Sequence, residues 1–222
     1  MKNFRFLLLV IIALLPLSFG CQEDSTNVVH AQGDYIMPLA VGNMWVGRVQ
    51  RVDSNGNVLS TSYDTVRVDR DTIINGDQWF ISNFGGQIFR NFSNWGLKTK
   101  YSYMPDTIYE FLKYPAAIGD IILRDTTIGT SRISGKTDTV VYGLEVADDD
   151  TTIAVPFGNY ECYYYKPYYK KLDGSQSDIE VPLVGDNWYT PGYGIIKVIM
   201  FDISEPDAKI KLVWELVYLE LY

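Results

Sequence analysis

From Tyr35 onward the chain is punctuated too often for a long helix to form. Breaks fall at Gly42-Asn43, Asp53 to Asn57, Asn75-Gly76, Gly85-Gly86, Asn94 to Gly96, Pro105-Asp106, Phe157 to Asn159 and Pro191 to Gly194. Glycine supplies the positive φ that tight turns need, and proline removes a donor that a helix would use. Between the breaks lie runs rich in β-branched and aromatic residues: Val58 to Ile74, Gln78 to Asn83, Gln87 to Phe92, Leu97 to Tyr103, Thr107 to Tyr114, Ile121 to Ile128 and Thr137 to Val146. No stretch of ten or more residues keeps a helical period. Ile210, Leu212, Trp214, Leu216 and Tyr218 instead alternate with their neighbours, a period of two that turns Trp214 toward a core. These features predict one all-β domain over residues 35–222. A sheet of many short strands manages its edges by curling, so the expected form is a strongly curved or partly closed antiparallel sheet, a half-barrel or barrel, with a β-sandwich as the alternative.

The 222 residues suit a single domain, and 47% hydrophobic residues suffice for a core. Nineteen Lys and Arg stand against 27 Asp and Glu, a net charge of −8. The only adjacent basic pair is Lys170-Lys171. An acidic chain without a basic stripe repels phosphates, which speaks against nucleic acid as a partner.

The N-terminus carries the most specific motif. Lys2 and Arg5 precede an apolar run from Phe6 to Leu17, shorter than the roughly 20 residues that span a bilayer. Leu17-Ser18-Phe19-Gly20-Cys21 follows and resembles a bacterial lipobox, in which cleavage before the cysteine leaves it lipidated. The resemblance implies a signal peptide over residues 1–20, lipidation at Cys21 and a flexible polar tether over residues 21–34. The partner would then be a membrane, reached through the lipid, in the envelope of a two-membraned bacterium. Glu23 and Asp24 resemble lipoprotein sorting signals, and the expected address is the outer membrane, on its periplasmic or surface face.

With Cys21 lipidated, Cys162 has no partner for a disulfide and is expected to behave as a small buried hydrophobe. The one histidine, His30, lies in the tether stretch, so no Cys-His pair is expected. Asp148-Asp149-Asp150 lacks the spacing of a calcium loop, since adjacent side chains in an extended turn diverge, and it reads as solvated surface. The sequence names no catalytic residue, metal site or cofactor.

Tyrosine is abundant, at 17 residues. Tyr160, Tyr163, Tyr164, Tyr165, Tyr168 and Tyr169 crowd one arm of a hairpin that begins near Ile153, and Trp188 and Tyr189 lie on its return strand. Burying Glu161 is costly, so strict alternation turns Tyr160, Cys162 and Tyr164 inward and Glu161, Tyr163 and Tyr165 outward. On that register Tyr163, Tyr165, Trp188 and Tyr189 form a ligand platform. Two function classes follow. One is a non-enzymatic binding or assembly module for a lipid, a glycan or an envelope protein; the other is an envelope hydrolase whose carboxylates converge only in the fold.

Pro38 to Asn43, Pro115 to Asp120 and Pro182 to Asp186 echo one another as a proline, apolar residues and Gly with Asn or Asp, and are read as one turn chemistry reused before strands. The segments Pro38 to Trp45, Val155 to Cys162 and Trp188 to Lys197 together resemble an uncharacterised family of bacterial envelope lipoproteins with PLxVGNxW, VPAGxFxC and YAPGVGLVK motifs. Phe157 and Tyr193 depart from that pattern at the turns. The family carries no established catalytic residues to transfer. More remotely the chain resembles lipoprotein carriers, whose curved sheets shelter acyl chains on the concave face.

Overall fold

The computed structural model describes residues 28–31, 33–83, 87–92, 95–101, 104–130, 135–175, 177, 185–201 and 211–222. Residues 1–20 and Cys21 lie outside them. Among the described residues thirteen strands are formed: β1 (Val28–Val29), β2 (Met44–Val52), β3 (Val58–Ile74), β4 (Asp77–Ser82), β5 (Gln87–Phe92), β6 (Gly96–Tyr101), β7 (Met104–Lys113), β8 (Ile121–Thr130), β9 (Thr137–Val155), β10 (Gly158–Lys171), β11 (Asp186–Thr190), β12 (Gly194–Phe201) and β13 (Lys211–Glu220). Among the described residues there is no helix.

All strands belong to one sheet in the order β7-β6-β5-β4-β3-β2-β13-β12-β11-β10-β9-β8, antiparallel throughout except that β1 runs parallel beside β10. The sheet is open, with β7 and β8 as its two ends. Its long members carry the curl. The first part of β3 pairs with β2 as far as Arg67 and the second pairs with β4 from Val68 onward, so one strand links two differently directed stretches of sheet. The ends are drawn together over the inner face. Tyr165 of β10 donates its hydroxyl to the Lys113 carbonyl of β7 at 2.8 Å, and Lys113 pairs with Asp120 ahead of β8 at 2.7 Å. Leu97 and Leu112 therefore share a core with Ile122 and Leu144 from the opposite end of the strand order. Curling gives each apolar face a partner without full closure.

Three boundaries differ from expectation. Asp148 to Asp150 form no turn but lie within β9, and Pro105-Asp106 fall within β7. The docked chain also begins inside the stretch read as tether: Val28 and Val29 pair with Asn159 and Tyr160, and the Gly33 carbonyl accepts the Tyr114 hydroxyl at 2.9 Å.

Two of the three echoed turns share one device, and residues 182–184 of the third lie outside the described residues. Gly42 N–H donates to the Val68 carbonyl and Val68 N–H to the Asn43 carbonyl; Gly119 and Asp120 exchange the same two bonds with Val146. Both glycines have positive φ, 98° and 89°. The motifs quoted for the family resemblance also meet. Trp45 donates its indole N–H to the Tyr193 carbonyl at 2.6 Å, Tyr160 packs edge-on against Tyr193, and Phe157 N–H reaches the Leu216 carbonyl. These motifs close one end of the core, a structural task that needs no ligand.

Candidate functional site

Glu215 of β13 lies between the buried Trp214 and Leu216, so alternation turns it to the outer face. Residues directly opposite across a ladder share a face, and the registers extend that position into a row. Glu215 faces Arg48 on one side and Lys197 on the other; Lys197 faces Trp188, Trp188 faces Tyr164, and Tyr164 faces Asp148. Beyond Arg48 the row ends on the exposed Tyr63.

The row is ordered by its own contacts. Arg48 and Lys197 each hold a Glu215 oxygen at 2.8 Å. Burial pushes the Glu215 carboxyl upward, but the hydrogen bonds from Lys197 and Arg48 outweigh it and leave the group below its ordinary value. Tyr164 and Trp188 stack with ring centres 4.8 Å apart and planes 5° from parallel. Tyr164 donates its hydroxyl to Asp186 Oδ1 at 2.6 Å. Burial first, and that bond second, raise the Tyr164 phenol far above its usual range and keep it a donor. The result is a half-buried aromatic pair held rigid between an acidic side, Asp148 and Asp186, and a basic one, Lys197.

This corrects the sequence-derived platform. Of its four residues only Trp188 stands in the outer row. Tyr165 and Tyr189 are core residues at 0% and 4% exposure, and Tyr163 is half-buried, edge-on to Tyr114 and stacked near Tyr165. Tyr164, expected inward, is the outward partner of Trp188. Tyr160 and Cys162 are buried as expected, so the buried phase passes from even to odd positions between Cys162 and Tyr165. The β9–β10 ladder shifts register at that place, between Cys162 and Tyr164 and again between Tyr164 and Tyr165. Bulges re-aim side chains in this way, which defeats a strict period-two reading. Glu161 is half-buried and meets His30 Nδ1 at 2.7 Å.

Cys162 lies beside Thr190, Sγ to Oγ1 3.2 Å, and burial pushes its thiol up to about 12. Such a thiol is no nucleophile at neutral pH. His30 bonds Glu161 rather than Cys162.

Contrary to the expected divergence, the carboxylates of Asp148, Asp149 and Asp150 lie within 4.8 Å of one another. Asp148 takes a 2.8 Å bond from Thr151 that lowers its pKa, while its hydrogen bond and charge raise that of Asp150. The group is an open surface cluster on β9.

The sequence also hides a basic cluster. Arg90 and Lys98 are opposite on β5 and β6 with Lys100 two residues on, although no two are adjacent in the chain. Their charges lie on rings: Arg90 4.7 Å from Phe92, Lys98 4.7 Å from Trp95 and Lys100 5.2 Å from Trp79. Contacts of this kind contribute about 0.5–1 kcal/mol each where exposed, so packing on the rings goes some way to account for the cluster.

No protein family, curated protein or solved structure matches the chain in comparison. The fold and this outer row therefore define the class, an open and curled all-β sheet, and the functional reading rests on the residues themselves.

Proposed function

We propose that the chain is a membrane-anchored envelope lipoprotein that binds rather than catalyses, and that it holds a glycan on the outer row at Tyr164 and Trp188. The observation that carries this reading is the rigid aromatic stack between Asp148 and Lys197. The pair is flanked by Lys197 across from Trp188 and Asp148 across from Tyr164, and an aromatic surface set between charges suits the C–H side of a sugar while the charges take its hydroxyls. Acyl chains fit less well. Trp45, Tyr165, Leu97, Leu112 and Leu216 fill the inner face at 0% exposure, where a lipid carrier would need space.

The lipobox at Cys21 supports tethering to the outer membrane of a two-membraned bacterium, and the resemblance to envelope lipoproteins agrees with it. Mass spectrometry of the envelope fraction should find acyl chains on an N-terminal Cys21. For the ligand, the purified full chain is tested against isolated envelope glycans by sedimentation binding. Trp188→Ala should weaken binding at least about tenfold, equivalent to about 1.4 kcal/mol, in a protein that stays folded by circular dichroism although its melting temperature falls with the loss of the stack. Unchanged binding by Trp188→Ala refutes the site, and release of sugars that Asp150→Asn abolishes points to the hydrolase instead.

A further inference from the structure

We propose that two copies of this chain associate edge to edge through the first part of β3, Val58 to Asp64, as antiparallel strands with Thr61 on the two-fold axis. Every residue of that stretch is exposed, with Val58 and Leu59 at 52% and Tyr63 at 69%. β2 pairs with it on one side only, and among the described residues no strand pairs with it on the other, because β4 joins β3 from Val68 onward.

The direction of the free backbone groups can be worked out. On the side away from β2, Arg67 N–H donates to Asn83 Oδ1, Asn83 N–H donates to the Arg67 carbonyl, and Asn83 Nδ2 donates to the Thr65 carbonyl. Alternate residues of a strand aim their backbone groups the same way, and the β2–β3 register is unbroken from Arg67 to Ser60. Tyr63 and Thr61 therefore present N–H and C=O to the open edge, and Asn83 marks where that edge stops.

Edges of this kind are ordinarily blunted by lysine, proline or inward charge. β7 carries Glu110 and Lys113, and β8 carries Asp125. Val58-Leu59-Ser60-Thr61-Ser62-Tyr63 carries no charge and no proline. The one irregularity is the register shift at Leu59, beside the turn.

The partner is identified by self-complementarity. With Thr61 on the axis, Thr61 meets Thr61, Ser60 meets Ser62, Tyr63 meets Leu59 and Asp64 meets Val58. Hydroxyl–hydroxyl and aromatic–aliphatic pairs are favourable cross-strand neighbours, and no like charges oppose each other. On a chain of net charge −8, a strand whose single charge, Asp64, meets Val58 is where two copies can approach. The interface does not involve Tyr164 or Trp188, so it stands or falls separately from the glycan reading.

Cysteine cross-linking of the full chain in envelope membranes tests it. Opposed residues of a hydrogen-bonded antiparallel pair have Cα atoms roughly 5.5 Å apart, within disulfide range. Oxidised Thr61→Cys should give a product of twice the chain mass. Ile73→Cys, also at an exposed position (66%) but off the proposed interface, should not. Thr61→Lys sets two ammonium groups against each other on the axis. In sedimentation of the detergent-solubilised full chain it should raise the dimer dissociation constant at least about tenfold, about 1.4 kcal/mol, with an unchanged melting curve. A monomeric wild type, a dimer that survives Thr61→Lys, equal cross-linking at Ile73→Cys, or a product of any other mass overturns the proposal, the last by pointing to a foreign strand.

Discussion

Gly47 on β2 is a position where one added methyl group should do measurable damage. A Cβ built there would lie 1.8 Å from Trp214 Cε2 and 2.1 Å from Nε1, under the plane of an indole that is 8% exposed. No side chain can share that space, so Gly47→Ala must push Trp214 off β2. A buried tryptophan covers roughly 150–250 Å². Uncovering half of it at about 25 cal/mol per Å² costs about 2–3 kcal/mol. Alanine returns about 0.5–1 kcal/mol through the unfolded chain, leaving a net loss of about 1–2.5 kcal/mol. Urea denaturation followed by tryptophan fluorescence measures it as a lower midpoint at constant slope. The cause is isolated by Trp214→Leu, which removes the ring that the methyl strikes. On that background Gly47→Ala should cost under about 0.5 kcal/mol, a strongly non-additive pair. An additive pair, or a Gly47→Ala protein as stable as wild type, refutes the argument.

Two further substitutions separate core from surface. Tyr165→Phe removes the hydroxyl that satisfies the Lys113 carbonyl and should cost about 1–2 kcal/mol, whereas Tyr165→Ala should cost about 3–5 kcal/mol, both read by denaturation. Glu215→Gln should lose about 1–2 kcal/mol at pH 7 by leaving Arg48 and Lys197 without their carboxylate. Because the folded Glu215 pKa is depressed, its contribution is present above the unfolded value, roughly 4.3, and is lost as pH falls through the lower folded value. The gap between wild type and Glu215→Gln should therefore shrink below about pH 4; a gap that is constant or widens on acidification refutes the assignment.

The fold was legible because its information is local. Asn75-Gly76 sits where a two-residue hairpin turn demands two positive φ values, and the chain supplies 54° and 85°. The alternation around Trp214 and Leu216 placed both in the core because no bulge intervenes before Leu216. Closure was not legible. Whether β7 and β8 meet depends on curvature summed over the whole sheet, and no residue of either strand records it. The docking of Val28 and Val29 on β10 was equally hidden, since two valines in a polar stretch carry no period.

The outer row shows why an aromatic platform expected on one set of residues stands on another. Trp188 stands in the outer row, whereas a single alternation carried through β10 puts Tyr163 and Tyr165 on the wrong face, and Tyr189, next to Trp188 on β11, faces the core. Glu161, costly to bury, anchors the phase of β10. That anchor holds where it applies: Tyr160 and Cys162 are buried and Glu161, half-buried against His30, lies between them on the other face, so the phase is lost only past Cys162, where the ladder shifts. Meanwhile β9 takes up extra residues opposite Tyr164, and the same irregularity gathers Asp148, Asp149 and Asp150 on one patch of surface instead of spreading them over two faces. These two neighbouring register shifts thus account for both the displaced platform and the unforeseen acidic cluster. The surest reading of such a strand comes from its neighbours: Trp188 is fixed by Lys197, Lys197 by Glu215, and Glu215 by the regular burial of Trp214 and Leu216 on either side.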